Sequence, residues 1–598
     1  MTTAPAMNRP GPRQNANRVL PAVDAPVSPD TAGQPVEGVM LNLTRGLIWV
    51  YLILWIVEGS LRKWYLVPFS DVLLVVRDPV VLLIYVCAVS CRTLTFNLFT
   101  GAVVLLGILS MIASVLVNPT GLVVAAFGFR ANFLHLPLIF VMARALRPLD
   151  LKRMAWLLLI LALPMAMVMA KQYRSDIDDW WNLGAGGGRM IIVLDRKVRP
   201  SGLFSFVSGP IIFYTATAAF LMAAISLRGW LKWWIALPAA AGTILACAVA
   251  GSRSLLGAVV VTLTCFLIGC VAFPRSLKYV AKLAAIGLGL FLVVSTFAVF
   301  QEGSSSTADR FVGATQNEGG LWTTVYARLI EPVFVSVGSV FEADPLGRGL
   351  GLGTVAGAIL AGGKGFFGEN EWLRTVSESG PFLGLAFMFT RAGLGAWLLL
   401  QCFRAARAGN LLPLALWGSG VQILVLGQFG QPTTLGGAVL LTGFCLAALS
   451  IPYEETRFSP TDPAAPQSAA ETTPAEATIQ TENGLKPGVF SLRGALPKHE
   501  GKPIFGTYPK RLDKATDAGP APEPATRNPG FAEEEYPSVQ PGAFAIHSGG
   551  STKVPGRGPN PRMPISRVAP KNDPIQGAPV KPGAFVVRPG IKRGNESV

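Results

Sequence analysis

Charged residues are scarce in this chain. Of 598 residues, 14% are charged and 51% are hydrophobic, whereas ordinary soluble domains carry ~25% charged residues. This shortage excludes an ordinary soluble enzyme and predicts a polytopic membrane protein. The average conceals a polar tail, because residues 452–598 hold 18 Lys and Arg and 15 Asp and Glu among dense Pro, Gly and Ala. The apolar mass therefore lies in about 45–451.

Histidine is also rare, and the cysteines form no recognisable motif. His499 and His547 lie in the tail, which leaves His135, so a histidine-based metal site is excluded and no cofactor is expected. The seven cysteines lie in or beside apolar runs without a CxxC pair, so no disulfide framework is expected. No GxxxxGK[ST] occurs, and GRGLGLG at 347–353 follows no predicted strand. We interpret these glycines as a flexible turn lining a cleft.

The net charge is +16, and the tail contributes only +3 of it, from 18 minus 15. The remaining excess surrounds the apolar part, which favours a membrane surface over a nucleic acid as its partner. Residues 1–44 lack the apolar core of a signal peptide and are predicted to form a disordered cytoplasmic arm.

Twelve apolar segments approach the ~20 residues that a helix needs to cross a bilayer. The predicted fold is therefore all-α, with about 12 transmembrane helices and a disordered tail. The segments lie near 45–61, 66–90, 98–117, 121–143, 153–171, 203–227, 230–250, 254–273, 280–300, 380–403, 411–428 and 433–451.

The distribution of Lys and Arg predicts the orientation. With a cytoplasmic N-terminus, the short inner loops hold twelve basic residues and the short outer loops hold three, Arg62, Lys63 and Arg253. Both termini are then cytoplasmic. The two long loops, about 172–202 and 301–379, face outward, and ~80 residues between spans are typical of a functional element.

The end of the larger loop carries a candidate catalytic carboxylate. If 369–380 is helical, Glu369 shares an apolar face with Trp372 and Val376. Burial raises the pKa of such a carboxyl toward the range useful for a general base. The alternative is an acid that stabilises the helix start. A different face holds three charged residues that we expect to pair in solvent, Glu371, Arg374 and Glu378.

Outward arginines are candidate phosphate ligands. Arg199 lies in RPSGLF before the sixth span, Arg253 in GSRS at an outer turn, and Arg328 in the larger loop, within a predicted surface helix over 321–331. Arg presents a fork of donors that suits phosphate. Anchoring at the membrane surface is the equally open alternative for each.

Four ionisable residues fall at membrane depth, namely Arg77, Asp78, Arg130 and Arg391. Exposure of such groups to lipid costs several kcal/mol, so they should face the bundle interior or a wet cavity. Internal pairing, such as Arg77 or Arg130 with Asp78, is one explanation. Lining a path for a charged headgroup is the other.

Several motifs together resemble the O-antigen polymerase/ligase superfamily. Their order is RPSGLF, then SRS at 252–254, then GRGLGLG and ENEWLRTVSESGPFLG. In that family the second outer loop ends in His-Asn, nine residues and a glycine, and this chain has Glu369-Asn370, nine residues and Gly380. Glu369 stands where ligases place histidine, and the next glycine, Gly384, comes one residue later than usual. EGSLRKW (58–64) and RDPVVLLIY (77–85) are similar to a subgroup of exopolysaccharide polymerases.

The resemblance implies a fold like that of the GT-C-like O-antigen ligases and a metal-independent glycosyltransferase in the bacterial inner membrane. Its donor would be a polyprenyl-diphosphate-linked oligosaccharide, and its acceptor a sugar hydroxyl outside that membrane. Glu369 would be the catalytic base, and Asn370 and the outward arginines would contact substrate. Loss of the histidine favours a polymerase of surface-polysaccharide repeat units. A ligase and a twelve-span transporter or flippase are the alternatives.

A nine-residue pattern recurs three times in the tail, as LKPGVFSLR (485–493), VQPGAFAIH (539–547) and VKPGAFVVR (580–588). A Pro-Gly turn followed by alternating apolar positions suits strand addition to the sheet edge of another protein. We interpret the repeats as a multivalent tether for other polysaccharide assembly proteins or membrane-peripheral partners. Drift in a low-complexity sequence is the alternative.

Truncation after about residue 455 tests the tether. The truncated chain should keep its activity in isolated membranes, because a cytoplasmic tail cannot reach an outer active site, yet polymer yield or length in cells should change. Gel analysis of the polysaccharide and pull-downs with both chains make the measurement. Unchanged polymer and unchanged partners would show that the repeats are idle.

Overall fold

The computed structural model of the protein describes residues 35–117, 121–190, 197–318, 320, 322–323, 326–327, 330–363, 365–366 and 370–452. These residues form helices and turns, with isolated β-bridge residues such as the pair Leu183 and Arg189. The expected all-α class is therefore confirmed over the described part of the chain. The expected tail, its three repeats and residues 1–34 lie outside the described residues.

Seventeen α-helices are present in the described ranges. They are α1 (Pro35–Ser60), α2 (Ser70–Leu73), α3 (Asp78–Ser90), α4 (Leu98–Val117), α5 (Leu122–Phe129), α6 (Leu138–Ala145), α7 (Pro148–Arg174), α8 (Ser208–Ala223), α9 (Trp233–Val249), α10 (Arg253–Ala272), α11 (Leu277–Val294), α12 (Ala298–Glu318), α13 (Glu331–Gly338), α14 (Val355–Leu360), α15 (Glu371–Arg407), α16 (Leu412–Leu426) and α17 (Pro432–Leu449). Short π-helical turns, Leu61–Tyr65 and Arg130–Leu134, extend α1 and connect α5 toward α6.

Nine continuous helical stretches among the described residues are long and apolar enough to cross a membrane. They are Glu37–Tyr65, Val67–Ser90, Leu98–Val117, Leu122–Ala145, Pro148–Arg174, Arg253–Ala272, Pro274–Val294, Glu371–Arg407 and Pro432–Leu449. The other three segments expected to span are the shorter apolar helices α8, α9 and α16. The protein is thus an α-helical polytopic membrane protein by the length and composition of its helices, and the count of twelve spans stays a prediction.

Two helix boundaries differ from the expected domain limits. α1 begins at Pro35, inside the expected arm of residues 1–44, because 35–44 contains enough apolar residues to continue the helix. The expected span at 280–300 ends at Val294, and a new helix, α12, leads into the larger loop. Five of the eleven residues of the expected surface helix at 321–331, including Arg328, lie outside the described residues.

α17 lies at the centre of the bundle. It packs against α6, α8 and α16, and 89% of its residues are buried. Small residues make the close approach possible: a Cβ at Gly443 would lie 2.5 Å from the sulfur of Met142, and a Cβ at Gly437 would lie 2.6 Å from Ile212. Helices in membranes commonly use small residues in this way, because close backbone packing replaces the hydrophobic driving force that water supplies.

α15 reverses direction sharply at Gly380. Gly380 has φ 81° and ψ 166°, which divides α15 into segments 371–379 and 381–407. The first segment folds back along the second, because Glu371 contacts Arg391 and a Cβ at Gly384 would lie 2.6 Å from the Cα of Val376. In a straight helix residues 371 and 391 would be about 30 Å apart. The larger loop therefore ends in a re-entrant helix, which we call the re-entrant segment (371–379).

The GRGLGLG loop packs directly on this segment. The backbone N–H groups of Arg348 and Gly349 donate to the carbonyl oxygens of Ser377 and Glu378, at 2.8 and 3.1 Å. The N–H of Leu350 donates to Ser114 Oγ of α4 at 2.8 Å. The expected flexible turn is thus wrong for its inner part, where the loop is buried and hydrogen-bonded.

Replacement of Gly380 tests the reversal. Gly380→Ala should lower stability by about 1–3 kcal/mol, because this φ/ψ region is nearly exclusive to glycine, and the new Cβ would lie 2.3 Å from the carbonyl oxygen of Pro345. The thermal unfolding midpoint of the purified protein measures the effect. Gly393→Ala is the matched control on the same helix, since its Cβ meets no atom closer than 4.0 Å. Equal midpoints for the two variants would contradict the reversal.

Candidate functional site

A buried cluster of four charged side chains holds the re-entrant segment. Arg374 binds Glu371 through two N–H groups, at 2.8 and 2.9 Å, and lies 2.7 Å from a carboxylate oxygen of Glu378. Arg391 donates to Oε1 of Glu371 at 2.9 Å, the oxygen that also accepts from Arg374. Asn132 accepts from Arg374 at 2.7 Å. We call these five residues the Glu371 cluster.

The Glu371 cluster joins four separate parts of the chain. The N–H of Phe429 donates to Glu371 at 3.2 Å, and the N–H of Gly353 donates to Glu378 at 2.9 Å. Arg391 donates to the carbonyl oxygens of Leu424 and Gly427, at 2.7 and 2.9 Å. The cluster therefore fastens the re-entrant segment to the glycine loop, to the π-helical turn between α5 and α6, and to the loop between α16 and α17.

The prediction that Glu371, Arg374 and Glu378 pair in solvent is wrong. Their side chains are 0%, 3% and 0% exposed. The helix folds back into the bundle, so the face opposite the apolar one is also covered by protein. Two carboxylates and two guanidinium groups balance one another, as buried charges require.

Asn370 caps the helix that this cluster holds. Its side-chain oxygen accepts from the N–H of Trp372 at 2.9 Å, and its amide nitrogen donates to the carbonyl oxygen of Pro332 at 3.0 Å. Side-chain oxygens at this position satisfy a backbone donor of the first turn. Asn370 thus links α13 to the start of α15. Glu369, the expected base and the residue before it, lies outside the described residues.

A second buried cluster lies where α1 ends. Arg77 of the α2–α3 turn binds Glu58 at 3.1 Å, and Arg62 lies 3.4 Å from the other carboxylate oxygen. Arg62 also donates to the oxygens of Ser70 and to Ser205 Oγ. Lys63 completes what we call the Glu58 cluster, which consists of Glu58, Arg62, Lys63 and Arg77. These side chains are at most 10% exposed.

Lys63 is held by the RPSGLF segment. Its ammonium group donates to Ser201 Oγ at 3.0 Å and to the carbonyl oxygen of Gly202 at 2.5 Å. Its aliphatic stem ends beside Trp64, with the nitrogen 4.4 Å from the ring centroid. The Glu58 cluster therefore contains three cationic side chains and one carboxylate, unlike the balanced Glu371 cluster. Hydroxyl groups and cations together suit an anionic group.

Five of the six motifs that carry the family resemblance, all except SRS at 252–254, meet in these clusters. EGSLRKW supplies Glu58, Arg62 and Lys63, RDPVVLLIY supplies Arg77, and RPSGLF supplies the partners of Lys63. GRGLGLG and ENEWLRTVSESG meet in the Glu371 cluster. Contacts of the Glu58 cluster join residues up to 355 positions apart in the chain, as between Arg77 and Pro432. These contacts give the charged and polar residues of those motifs a structural role.

Of the two partners expected for Asp78, Arg130 pairs with it, and Arg77 binds Glu58 instead. Arg130 Nε lies 2.6 Å from Asp78, and His135 Nε2 lies 2.9 Å from the other carboxylate oxygen. The opposite ring nitrogen of His135 is 2.9 Å from the hydroxyl of Tyr51. Arg391 likewise has a partner in Glu371. All four predicted residues at membrane depth are thus paired inside the protein.

The loop between α16 and α17, together with the first turn of α17, connects the two clusters. Phe429 binds Glu371, and the carbonyl oxygen of Pro432 accepts from Arg77. The carbonyl oxygen of Thr433 accepts from the indole of Trp55, at 2.8 Å. Between these contacts lies a run of polar side chains, with Gln431 bound to Gln428 at 2.6 Å. Sequence reasoning missed this loop, although its two glutamines between apolar helices were a usable signal.

The candidate arginines have different positions. Arg199 is partly buried and precedes Ser201, which binds Lys63, so it lies next to the Glu58 cluster in sequence. Arg253 is the first residue of α10 and is also partly buried. Arg328 lies outside the described residues. The segment that contains Arg199 therefore contacts the Glu58 cluster through Ser201 and Gly202.

The Glu371 cluster should be essential to folding. Glu371→Gln removes one charge from a buried group of four and should cost about 3–5 kcal/mol, because it leaves buried cations uncompensated. Asp344→Asn is the control: Asp344 pairs with Arg348 at 3.4 Å with both side chains more than 60% exposed, and such a pair contributes about 1 kcal/mol or less. Denaturant unfolding in detergent compares them, and equal losses would contradict the role of the cluster.

Comparison with known proteins does not assign the two clusters to a family. No family model, no curated protein and no solved structure matches the chain. The resemblance to O-antigen polymerases and ligases therefore depends on the motifs, on their order and on their meeting in the fold. What is identified directly is a helical membrane protein with two buried ionic clusters joined by one polar loop.

Proposed function

We propose that the protein polymerises lipid-linked oligosaccharide repeat units in the synthesis of a surface polysaccharide. It transfers glycan from polyprenyl diphosphate to an acceptor sugar hydroxyl, outside the inner membrane of a bacterium. The observation that carries the proposal is the Glu58 cluster, in which three cations and one carboxylate are gathered by motifs typical of the polymerases.

The excess of positive charge supports a diphosphate ligand. Lys63 and Arg62 lie against the hydroxyls of Ser201 and Ser205, and Arg199 belongs to the same segment. Charge-assisted hydrogen bonds from such groups are roughly twice as strong as neutral ones. A leaving lipid diphosphate gains negative charge as the glycosidic bond breaks, and fixed cations stabilise that charge in the transition state.

Glu369 is the proposed base. The acceptor hydroxyl attacks the anomeric carbon of the donor, its proton passes to the Glu369 carboxylate, and the bond to the diphosphate oxygen breaks. The new glycosidic bond replaces the old one, so no oxidant, metal or cofactor takes part in this scheme. Support for this role comes from the spacing to Gly380 and from Asn370, which ties the chain beside Glu369 to a rigid helix start.

The competing functions are a ligase, which transfers finished glycan to another acceptor, and a transporter or flippase. Deletion of the gene separates polymerase from flippase. Loss of the polymerase should leave single lipid-linked repeat units on the outer face, whereas loss of a flippase should leave them on the cytoplasmic face. Transfer of preassembled polymer to a lipid acceptor by the purified protein would favour the ligase.

Removal of the proposed base should abolish polymerisation. Glu369→Gln keeps the size of the side chain but cannot accept the hydroxyl proton at neutral pH, so polymer should disappear and single repeat units should accumulate, with unchanged protein in the membrane. Asp344→Asn, an exposed acid of the same outer loop, should leave polymer formation intact. Near-normal polymer from Glu369→Gln would eliminate this residue as the base.

The rate of repeat-unit transfer should depend on the forked guanidinium groups of the outward arginines. Arg199→Lys and Arg253→Lys keep the charge but lose the planar donors, so the rate of repeat-unit transfer should fall by about tenfold. Arg328→Lys should have a smaller effect. Arg348→Lys is the control, because Arg348 is exposed and pairs with Asp344. Full activity of both Arg199→Ala and Arg253→Ala would show that these residues only anchor the protein.

A further inference from the structure

An apolar chamber lies away from the two ionic clusters. It has a volume of about 1020 Å³, is lined by residues of α8, α9, α10, α11 and α12, and is partly open to the surroundings. This volume is at the upper end of the range for ligand pockets. Among the described residues that line it, Lys282 is the one charged side chain. A chamber lined in this way suits the hydrocarbon chains of a lipid.

The chamber lies beside α11, the least buried of the nine candidate spans among the described residues. Only 6% of the apolar stretch of α11 is buried, against 28% or more for each of the other eight candidate spans. Leu283, Ile286 and Phe291 of this helix line the chamber, while Val294 near its end packs with Ala248 of α9 and Phe300 of α12. An empty space between packed helices deprives the side chains that line it of dispersion contacts. An occupant therefore completes the packing of α11.

One end of the chamber has the chemistry of a lipid headgroup site. Lys282 and Trp233 both line it and are exposed. Lys232 precedes Trp233 in sequence, and its ammonium group lies 5.7 Å from the centroid of the Trp234 ring. Trp and Lys together are typical of the membrane interface. Stretches 227–236 and 272–283 contain no acidic residue, so this end favours an anionic headgroup.

We propose that the chamber binds one anionic glycerophospholipid, with its acyl chains between α9 and α11 and its phosphate at Lys282. This site goes beyond the proposed transfer reaction, and it involves neither ionic cluster. The expected orientation places Lys282 on the cytoplasmic side, whose leaflet surface attracts basic residues through its anionic lipids. The lipid holds α11 against the bundle.

The test counts lipids retained by the purified full-length chain. Wild-type protein is equilibrated in nanodiscs that contain equal amounts of phosphatidylglycerol and phosphatidylcholine, then released and measured by native mass spectrometry. One phosphatidylglycerol should remain bound. Lys282→Ala should lower its preference over phosphatidylcholine about fivefold, the ratio that corresponds to ~1 kcal/mol for one lysine near a membrane.

Two variants of α11 locate the site. Gly287 lines the chamber and Gly289 does not, and a Cβ at either position meets no atom within 4 Å. Gly287→Phe fills the chamber and should abolish retention, whereas Gly289→Phe adds the same ring elsewhere on the helix and should leave retention unchanged. Phosphatidylglycerol should raise the unfolding temperature of wild type and of Gly289→Phe, because a ligand stabilises the state that binds it.

Three results would overturn the proposal. They are equal retention of the two phospholipids by wild type, wild-type retention by Gly287→Phe, and displacement of phosphatidylglycerol by an equal amount of undecaprenyl phosphate. The last result would assign the chamber to the isoprenoid chain of a donor lipid. Ala240→Phe, which fills the chamber from α9, replaces Gly287→Phe if that variant does not yield folded protein.

Discussion

The cost of placing a charge at membrane depth governs the architecture of this protein. An unpaired ion in an apolar interior costs several kcal/mol, so each charged side chain there needs partners close by. Glu371 meets this requirement with Arg374, Arg391 and the N–H of Phe429. The reversal at Gly380 is what makes it possible, because it returns residue 371 to the level of residue 391.

The same requirement explains why distant motifs meet. Lys63 binds the hydroxyl oxygen of Ser201 and the carbonyl oxygen of Gly202, and Arg77 binds Glu58 and the carbonyl oxygen of Pro432. The loop between α16 and α17, together with the first turn of α17, therefore serves both clusters. Movement of that loop would disturb the Glu371 cluster and the Glu58 cluster together. The two parts of the candidate site are therefore physically coupled.

The two clusters differ in what they can do. The Glu371 cluster is neutral as a set, fully enclosed and hydrogen-bonded on several sides, which suits a lock that fixes the start of α15. The Glu58 cluster retains an excess of cations beside serine hydroxyls, which suits recognition of an anion. The rigid Glu371 cluster therefore lies next to Asn370, and the Glu58 cluster, with its excess of cations, lies next to RPSGLF. The proposed transfer of lipid-linked glycan needs both a fixed geometry and a site for an anion.

The sequence by itself determined the helical membrane class and the approximate positions of the helices, because hydropathy and length are local properties. It also located Arg77, Asp78, Arg130 and Arg391 as groups that need partners. Only the tertiary structure decided which partners they have, since those contacts join segments far apart in the chain. It also overturned the solvent-exposed placement of Glu371, because helical periodicity assigns faces but cannot reveal that a re-entrant segment has protein on both sides.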